Sequence, residues 1–202
     1  MIVIVNYGMG NLGSMLNIFG RIGAKACVES DPDRIAKASK IILPGVGAFD
    51  AAMERINSSA GLREVLNHKT LIEGVPLLGV CLGMQLLTKG SEEGRLPGLG
   101  WIPGKTKRFP KESGLKVPHM GWNVVTPNSP NPLTRDLGEA SRFYFVHSYF
   151  VHVENPEHSL LTACYGVTFD AGISRDNIFG LQFHPEKSHR FGMRILSNFA
   201  RL

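Results

Sequence analysis

The chain has 202 residues, 43% of them hydrophobic, enough for a substantial core and best fitted to one domain over residues 1–202. Its 22 Lys and Arg against 17 Asp and Glu leave a net charge of +5, partly in "KTKRFPK" (105–111); a nucleic-acid binder concentrates far more charge on one element, so a solvated loop, or a surface near a partner handling phosphorylated substrates, is expected instead. The opening "MIVIV" meets Asn6 at once without a basic leader, which argues against a signal peptide or membrane span and for a cytoplasmic location, and three scattered cysteines (Cys27, Cys81, Cys164) fit neither a metal spacing nor a disulfide framework.

In chain order, "MIVIV" predicts a short buried strand. "NLGSMLNIFGRIG" predicts a helix, with Leu12, Met15, Leu16, Phe19 and Ile22 at helical spacing and Asn11 as its cap. "KACVES" and "KIILPG" predict two more strands, "FDAAMERI" and "LREVLNHKTLIEG" helical stretches, and "VPLLGV" a fourth strand. Continuous apolar strands separated by helices imply a parallel sheet covered on both faces. The second half changes character. "GWIPGKTKRF", "GWNVVTP", "RFYFVHSYFVHV", "LLTACYG", "VTFDAGIS" and "IFGLQFHP" predict short strands, added to the sheet as hairpins. "SHRFGMRILSNFARL" predicts a closing helix with Phe191, Ile195, Leu196 and Phe199 on one face and Ser188 as cap.

Chemistry concentrates where the fourth strand ends. Gly79-Val80-Cys81-Leu82-Gly83 has the form G-x-C-x-G between a predicted strand and a predicted helix, the context of a nucleophile elbow. So sharp a reversal crowds the backbone two residues before and two after the nucleophile, and both positions are glycine. The turn lifts the sulfur above the sheet edge near a helix N-terminus and frees the Leu82 amide to donate to an oxyanion. A free thiol, with a pKa of about 8.5, is otherwise mostly protonated at neutral pH. The plain alternative, a small apolar residue in a core helix, leaves the glycine pair unexplained. A thiol needs a base, and the base an orienting acceptor. In "LQFHPEKS", His184 precedes a proline that favours an extended backbone, so Glu186, two residues on, is expected on the same side as the His184 ring. His147 and Ser148 in "YFVHSY" sit among aromatics at a strand end, either as ordinary strand residues or as polar groups meeting a small ligand. The other five histidines form no metal-ligand spacing, and no metal or cofactor is expected.

G-x-C-x-G-x-Q at Gly79 to Gln85, P-G-x-G at Pro44 to Gly47 and H-P-E at His184 to Glu186 together resemble the class I, or triad, glutamine amidotransferases, over essentially the whole chain. "NYGMGNL" (6–12), "GVCLGMQLL" (79–87) and "PHMGWN" (118–123) look like the glutaminase subunits of imidazole glycerol phosphate synthase, of histidine biosynthesis. The fold implied is α/β: a flavodoxin-like three-layer domain with a central, mostly parallel sheet flanked by helices, and extra antiparallel strands in the second half. The resemblance implies glutamine hydrolysis through a γ-glutamyl thioester, with Cys81 attacking, His184 moving the proton and Glu186 orienting it. It implies an oxyanion hole from Leu82 and the Gly45-Val46-Gly47 loop, and a glutamine pocket from Gly47, Gln85, Glu93, His147 and Ser148. For Glu93, an acidic loop residue in solvent is the competing reading. The implied partner is a separate (β/α)8-barrel cyclase that receives ammonia. It would dock on the elbow side through Asn11, Met120, Trp122 and Lys187, with Trp122 either an interface anchor or a core aromatic. The rivals are a glutaminase subunit of an anthranilate or aminodeoxychorismate synthase, a stand-alone thiol hydrolase or redox protein, and a catalytically silent binding module.

Overall fold

Alternate residues of the first strand feed two different cores. In β1 (Ile2–Val5), Ile2 and Ile4 join an apolar cluster with Met15, Phe19 and Phe199, while Val3 and Val5 join another with Phe49, Met53 and Leu66. The run is continuously apolar because both faces of the strand are covered. The computed structural model describes residues 1–110, 114–138 and 140–202, so Lys111 of the basic stretch lies outside the described residues. After β1 come α1 (Leu12–Arg21), β2 (Ala26–Glu29), a short α2 (Pro32–Ile35), β3 (Lys40–Gly45), α3 (Phe49–Ser58) and α4 (Leu62–Asn67), which runs into a π-helical turn, His68–Ile72. β4 (Leu77–Cys81) leads directly into α5 (Leu82–Leu86). Then follow β5 (Gly104–Arg108), β6 (His119–Val124), β7 (Thr126–Pro127), β8 (Arg142–His147), β9 (Tyr149–Val153), β10 (Ser159–Tyr165), β11 (Val167–Arg175), β12 (Ile178–Leu181) and α6 (His189–Arg201).

Among the described residues the main sheet has ten strands. Its order is β2-β1-β3-β4-β12-β11-β10-β7, with β9 also on β11 and β5 on β9. Strands β2, β1, β3, β4 and β12 are parallel neighbours; the pairings from β12 outward are antiparallel. The first cluster packs α1 and α6 on one face, the second packs α3, α4 and α5 on the other, which gives three layers. The carboxyl ends of β3, β4 and β12 lie side by side, the place where α/β sheets bind ligands.

Three expectations change. The later strands do not all join the sheet: β6 and β8 form a separate antiparallel ribbon, His119 opposite His147 and Val124 opposite Arg142. The ribbon buries Phe143 and Phe145 against Phe183, so one face is covered without sheet pairing. In α1 the buried face is Met15, Ile18 and Phe19, and Leu16 is exposed, because a helix turns about 100° per residue and Leu16 falls off that stripe. Asn11 does cap α1, its Oδ1 accepting from the Ser14 N–H at 3.4 Å. Ser188 stands at the cap position of α6 without capping it, because its hydroxyl is bonded elsewhere.

Candidate active site

Cys81 is the last residue of β4 and immediately precedes α5, with φ 55° and ψ −111°. A side chain in this left-handed region is strained, by about 1–3 kcal/mol, and the surroundings hold it there. The flanking glycines have separate steric reasons. A Cβ on Gly79 would lie 2.6 Å from the Gly83 carbonyl oxygen, the crowding of the elbow itself. A Cβ on Gly83 would lie 1.9 Å from the Leu43 carbonyl oxygen, so Gly83 is fixed by the neighbouring strand β3. Tyr7 closes the same corner: its hydroxyl donates to the Pro44 carbonyl at 2.6 Å, and burial together with the nearby Cys81 pushes its pKa far up, against a smaller opposing pull from Arg55.

His184 follows β12, and its Nδ1 faces Glu186 Oε1 at 2.9 Å with both side chains 3% exposed. The expected meeting occurs by a different route. Pro185–Lys187 form a 3-10 turn, and it is this turn, rather than strand alternation, that brings Glu186 back to the ring. Burial alone would lower the His184 pKa, but the Cys81 sulfur and the Glu186 carboxylate outweigh it and raise it to about 10. Nε2 is buried with no hydrogen-bond partner of good geometry among the described residues, on a ring whose charge Cys81 perturbs. Such bonds commonly tighten only when substrate is bound. The turn is anchored to the ribbon: His184 N–H donates to the Tyr144 carbonyl at 2.9 Å, Tyr144 N–H donates to Ser188 Oγ at 3.0 Å, and Ser188 donates to the His184 carbonyl at 2.6 Å.

A pocket of about 350 Å³ opens over the sulfur, lined by Val46, Gly47, Cys81, Leu82, Gln85, Glu93, His147, Ser148 and His184, together with Pro118, Val146 and Tyr149. Glu186 lies behind His184 and does not line it. Gln85 is not free to donate to a ligand, because its Nε2 donates to the Tyr149 carbonyl at 3.2 Å and to Gln182 Oε1 at 3.1 Å; its Oε1 is what remains. Glu93 lines the pocket with one oxygen already accepting from the Phe49 N–H, at 3.0 Å, at the start of α3. Gly47 has φ +107°, a backbone that side chains avoid, and Val46 beside it is exposed.

His147 presents no spare ring nitrogen. Its Nδ1 donates to the Tyr149 carbonyl at 2.8 Å, which leaves Nε2 to accept from His119 Nδ1 at 2.9 Å and His119 Nε2 facing the Asn123 amide at 3.4 Å. Burial lowers the pKa of His119 to about 4 and of His147 to about 3, so this chain is neutral and its donors run one way. His147 therefore shapes the backbone at the pocket wall. His119, Gln182 and Tyr7 were not read from the sequence as site residues, and Ser188 was read only as a helix cap. For Gln182 a signal existed: an uncharged polar residue between Leu181 and Phe183, where an apolar strand runs out.

The four partner-facing candidates lie outside the pocket. Asn11 and Lys187 are exposed. On β6, Met120 is 62% and Trp122 46% exposed, which removes Trp122 from the core. Trp122 stacks on His189 with centroids 5.5 Å apart, and His189 itself has φ 46°. Among the described residues no cluster of His, Cys, Asp or Glu is arranged to hold a metal ion, and no helix is long and apolar enough to cross a membrane.

Residues 3–202 match the class-I glutamine amidotransferase family. An imidazole glycerol phosphate synthase subunit HisH 2 from Methanococcus maripaludis is 52% identical over 201 residues, covering 100% of this chain and 99% of that protein. A protein of the same name from Pseudomonas aeruginosa is 50% identical over 202 residues, covering 100% of both. The structure of PurLQS from Thermotoga maritima has a TM-score of 0.74 at 16% identity, covering 99% of this chain and 97% of that one, a likeness of fold alone. An elbow cysteine facing a histidine–glutamate pair, a family match from residue 3 to residue 202 and relatives half identical throughout agree: this chain belongs to the class I glutamine amidotransferases, in the branch of the imidazole glycerol phosphate synthase HisH subunits.

Proposed function

We propose that this chain is the glutaminase subunit of an imidazole glycerol phosphate synthase, one amidotransferase domain over residues 1–202 working in the cytoplasm. The observation that carries the reading is geometric: Cys81, lifted on its elbow, and His184, its Nδ1 2.9 Å from Glu186 Oε1, line one pocket. The Cys81 sulfur attacks the side-chain amide of glutamine in the pocket. The negative charge that develops on the amide oxygen is met by the Leu82 N–H and an N–H of the Val46–Gly47 loop. His184 gives its proton to the departing nitrogen, ammonia leaves, and a γ-glutamyl thioester remains. His184, now neutral, takes a proton from water, hydroxide adds to the thioester, glutamate departs and the sulfur is restored. Glu186 holds the ring so that Nε2 faces the reaction throughout.

Ammonia released into water is lost as ammonium, so the reading includes a receiver: a separate (β/α)8-barrel cyclase seated on Asn11, Met120, Trp122 and Lys187. That partner uses the ammonia to convert a phosphorylated ribulosyl aminoimidazole carboxamide into imidazole glycerol phosphate and aminoimidazole carboxamide ribotide. The test is to treat the purified chain with a glutamine-analogue electrophile and to measure glutaminase turnover with and without the copurified partner and its phosphorylated ligand. A mass adduct on Cys81 and low turnover that rises strongly with the occupied partner are expected. No adduct, or high unstimulated turnover, sinks the reading, and a copurifying synthase of another kind redirects it.

A further inference from the structure

Gln182 is completely buried just beyond β12, does not line the pocket and has no part in the reaction described above. A buried carboxamide is costly unless its donors and acceptors are used. Its Oε1 accepts from Gln85 Nε2 at 3.1 Å, and its Nε2 lies 3.8 Å from the Cys81 sulfur. The two ends of an amide look alike, so the orientation has to come from the partners. Here it is forced from the far end of the chain. The Tyr149 carbonyl can only accept, so the end of Gln85 that meets it, at 3.2 Å, is the NH2 group. That same NH2 meets Gln182, which must present oxygen there and turn its N–H groups to the sulfur.

We propose that Gln182 is a further catalytic residue of this site, donating an N–H···S hydrogen bond to Cys81 from beneath the pocket and stabilising the sulfur as the anion that attacks and later departs. The titratable groups that face the sulfur are His184 and Tyr7. Tyr7 has its hydroxyl committed to Pro44. His184 loses its charge to the departing ammonia, and when the thioester is hydrolysed the sulfur must leave while His184 is busy with the proton of water. Gln182 supplies a donor that does not change its protonation between the two halves of the reaction. The inference rests on Cys81 being the nucleophile.

The experiment is the pH profile of iodoacetamide alkylation of the full chain, followed by mass spectrometry on the Cys81 peptide so that Cys27 and Cys164 do not contribute. In Gln182→Leu the rate at pH 7 is expected to fall about tenfold, as for loss of one hydrogen bond to a charged acceptor, and to rejoin the wild-type rate at the alkaline plateau. Gln182→Glu keeps the acceptor for Gln85 but sets an oxygen against the sulfur, and shifts the midpoint further up. A profile superimposed on wild type, or a loss equal at every pH, overturns the inference, since the second outcome means packing or access. If neither variant folds, Gln85→Leu decides: it removes the bond that orients Gln182 without touching the sulfur, and an unshifted profile there is equally fatal. Failure of the glutamine-analogue electrophile to label wild-type Cys81 sinks the glutaminase reading; labelling with unshifted profiles sinks the role of Gln182 alone.

Discussion

The proposed nucleophile and its proposed base stand on foundations of different kinds. Cys81 ends an interior strand with β3 on one side and β12 on the other, and backbone crowding at Gly79 and Gly83 fixes it. His184 lies past the end of its strand, on a turn held by a two-stranded ribbon through Tyr144 and Ser188. The first foundation is rigid and made of backbone, with one constraint inside the elbow at Gly79 and another imposed on Gly83 by the adjacent strand β3. The second is assembled from segments 40 residues or more apart, 44 between Tyr144 and Ser188, and depends in part on side-chain hydrogen bonds. A catalytic pair built this way has one fixed member and one that follows its surroundings.

Substitutions can break or sharpen that contrast. The largest effect is expected from Cys81→Ala, which should lower glutamine-dependent synthesis by on the order of a thousandfold or more while leaving synthesis from added ammonium salts intact in the complex with the cyclase. Loss of both activities would make Cys81 structural. Gly83→Ala drives a Cβ against the backbone oxygen of Leu43, which cannot swing aside, and should cost about 3 kcal/mol in denaturant unfolding. A neutral result would mean that the elbow is not rigid. On the other foundation, His184→Ala should lower turnover about a thousandfold and Glu186→Gln about a hundredfold, since an orienting group is more dispensable than the proton carrier. Equal losses would undercut the division of roles.

The pH dependence of stability separates the two regions again. His119 and His147 are held neutral, with pKa values near 4 and near 3 against the ordinary 6.5. The unfolded chain takes up protons that the folded chain refuses, so their contribution is complete above pH 6.5 and drains as pH falls toward 4 and then 3. His184 runs the opposite way: raised to about 10, its contribution is complete below pH 6.5 and is lost as pH rises through 10. Urea midpoints across pH should fall at both ends, and His184→Ala should remove the fall between about pH 6.5 and 10 while leaving the acid side unchanged. The smallest effect belongs to Ser188→Ala, about 1 kcal/mol, because the Tyr144 N–H loses its acceptor while the His184–Tyr144 backbone bond survives.

The same contrast accounts for what could be read in advance. The parallel half was legible because buried strands and helices carry short-period apolar patterns, and because glycines two before and two after a cysteine answer the steric demand of an elbow. The H-P-E motif was legible as a meeting of His184 with Glu186, although the turn that achieves it was hidden in the Pro185–Lys187 backbone. The separate ribbon was not visible, since alternation predicts strands without saying which strands pair. Gln85 and His147 were legible as pocket residues but not in how their polar atoms are spent, for that depends on Gln182, Tyr149 and His119. Leu16 was misplaced because an apolar residue at permissible spacing need not lie on the buried stripe.

The bond from the Phe49 N–H to Glu93 also joins two parts of the pocket mechanically. Phe49 begins α3 two residues after Gly47, so the Glu93 carboxylate and the Val46–Gly47 loop, both on the wall of the pocket, are tied to one short stretch of backbone. Asp50 reinforces the tether by accepting from the N–H groups of Arg95 and Leu96, just beyond Glu93. Tension on one end of such a splice is felt at the other: a ligand that draws the Glu93 carboxylate toward itself pulls on the root of the Val46–Gly47 loop. In the proposed reaction, recognition and oxyanion stabilisation would share a single anchor point, and slack introduced at that point would loosen both together.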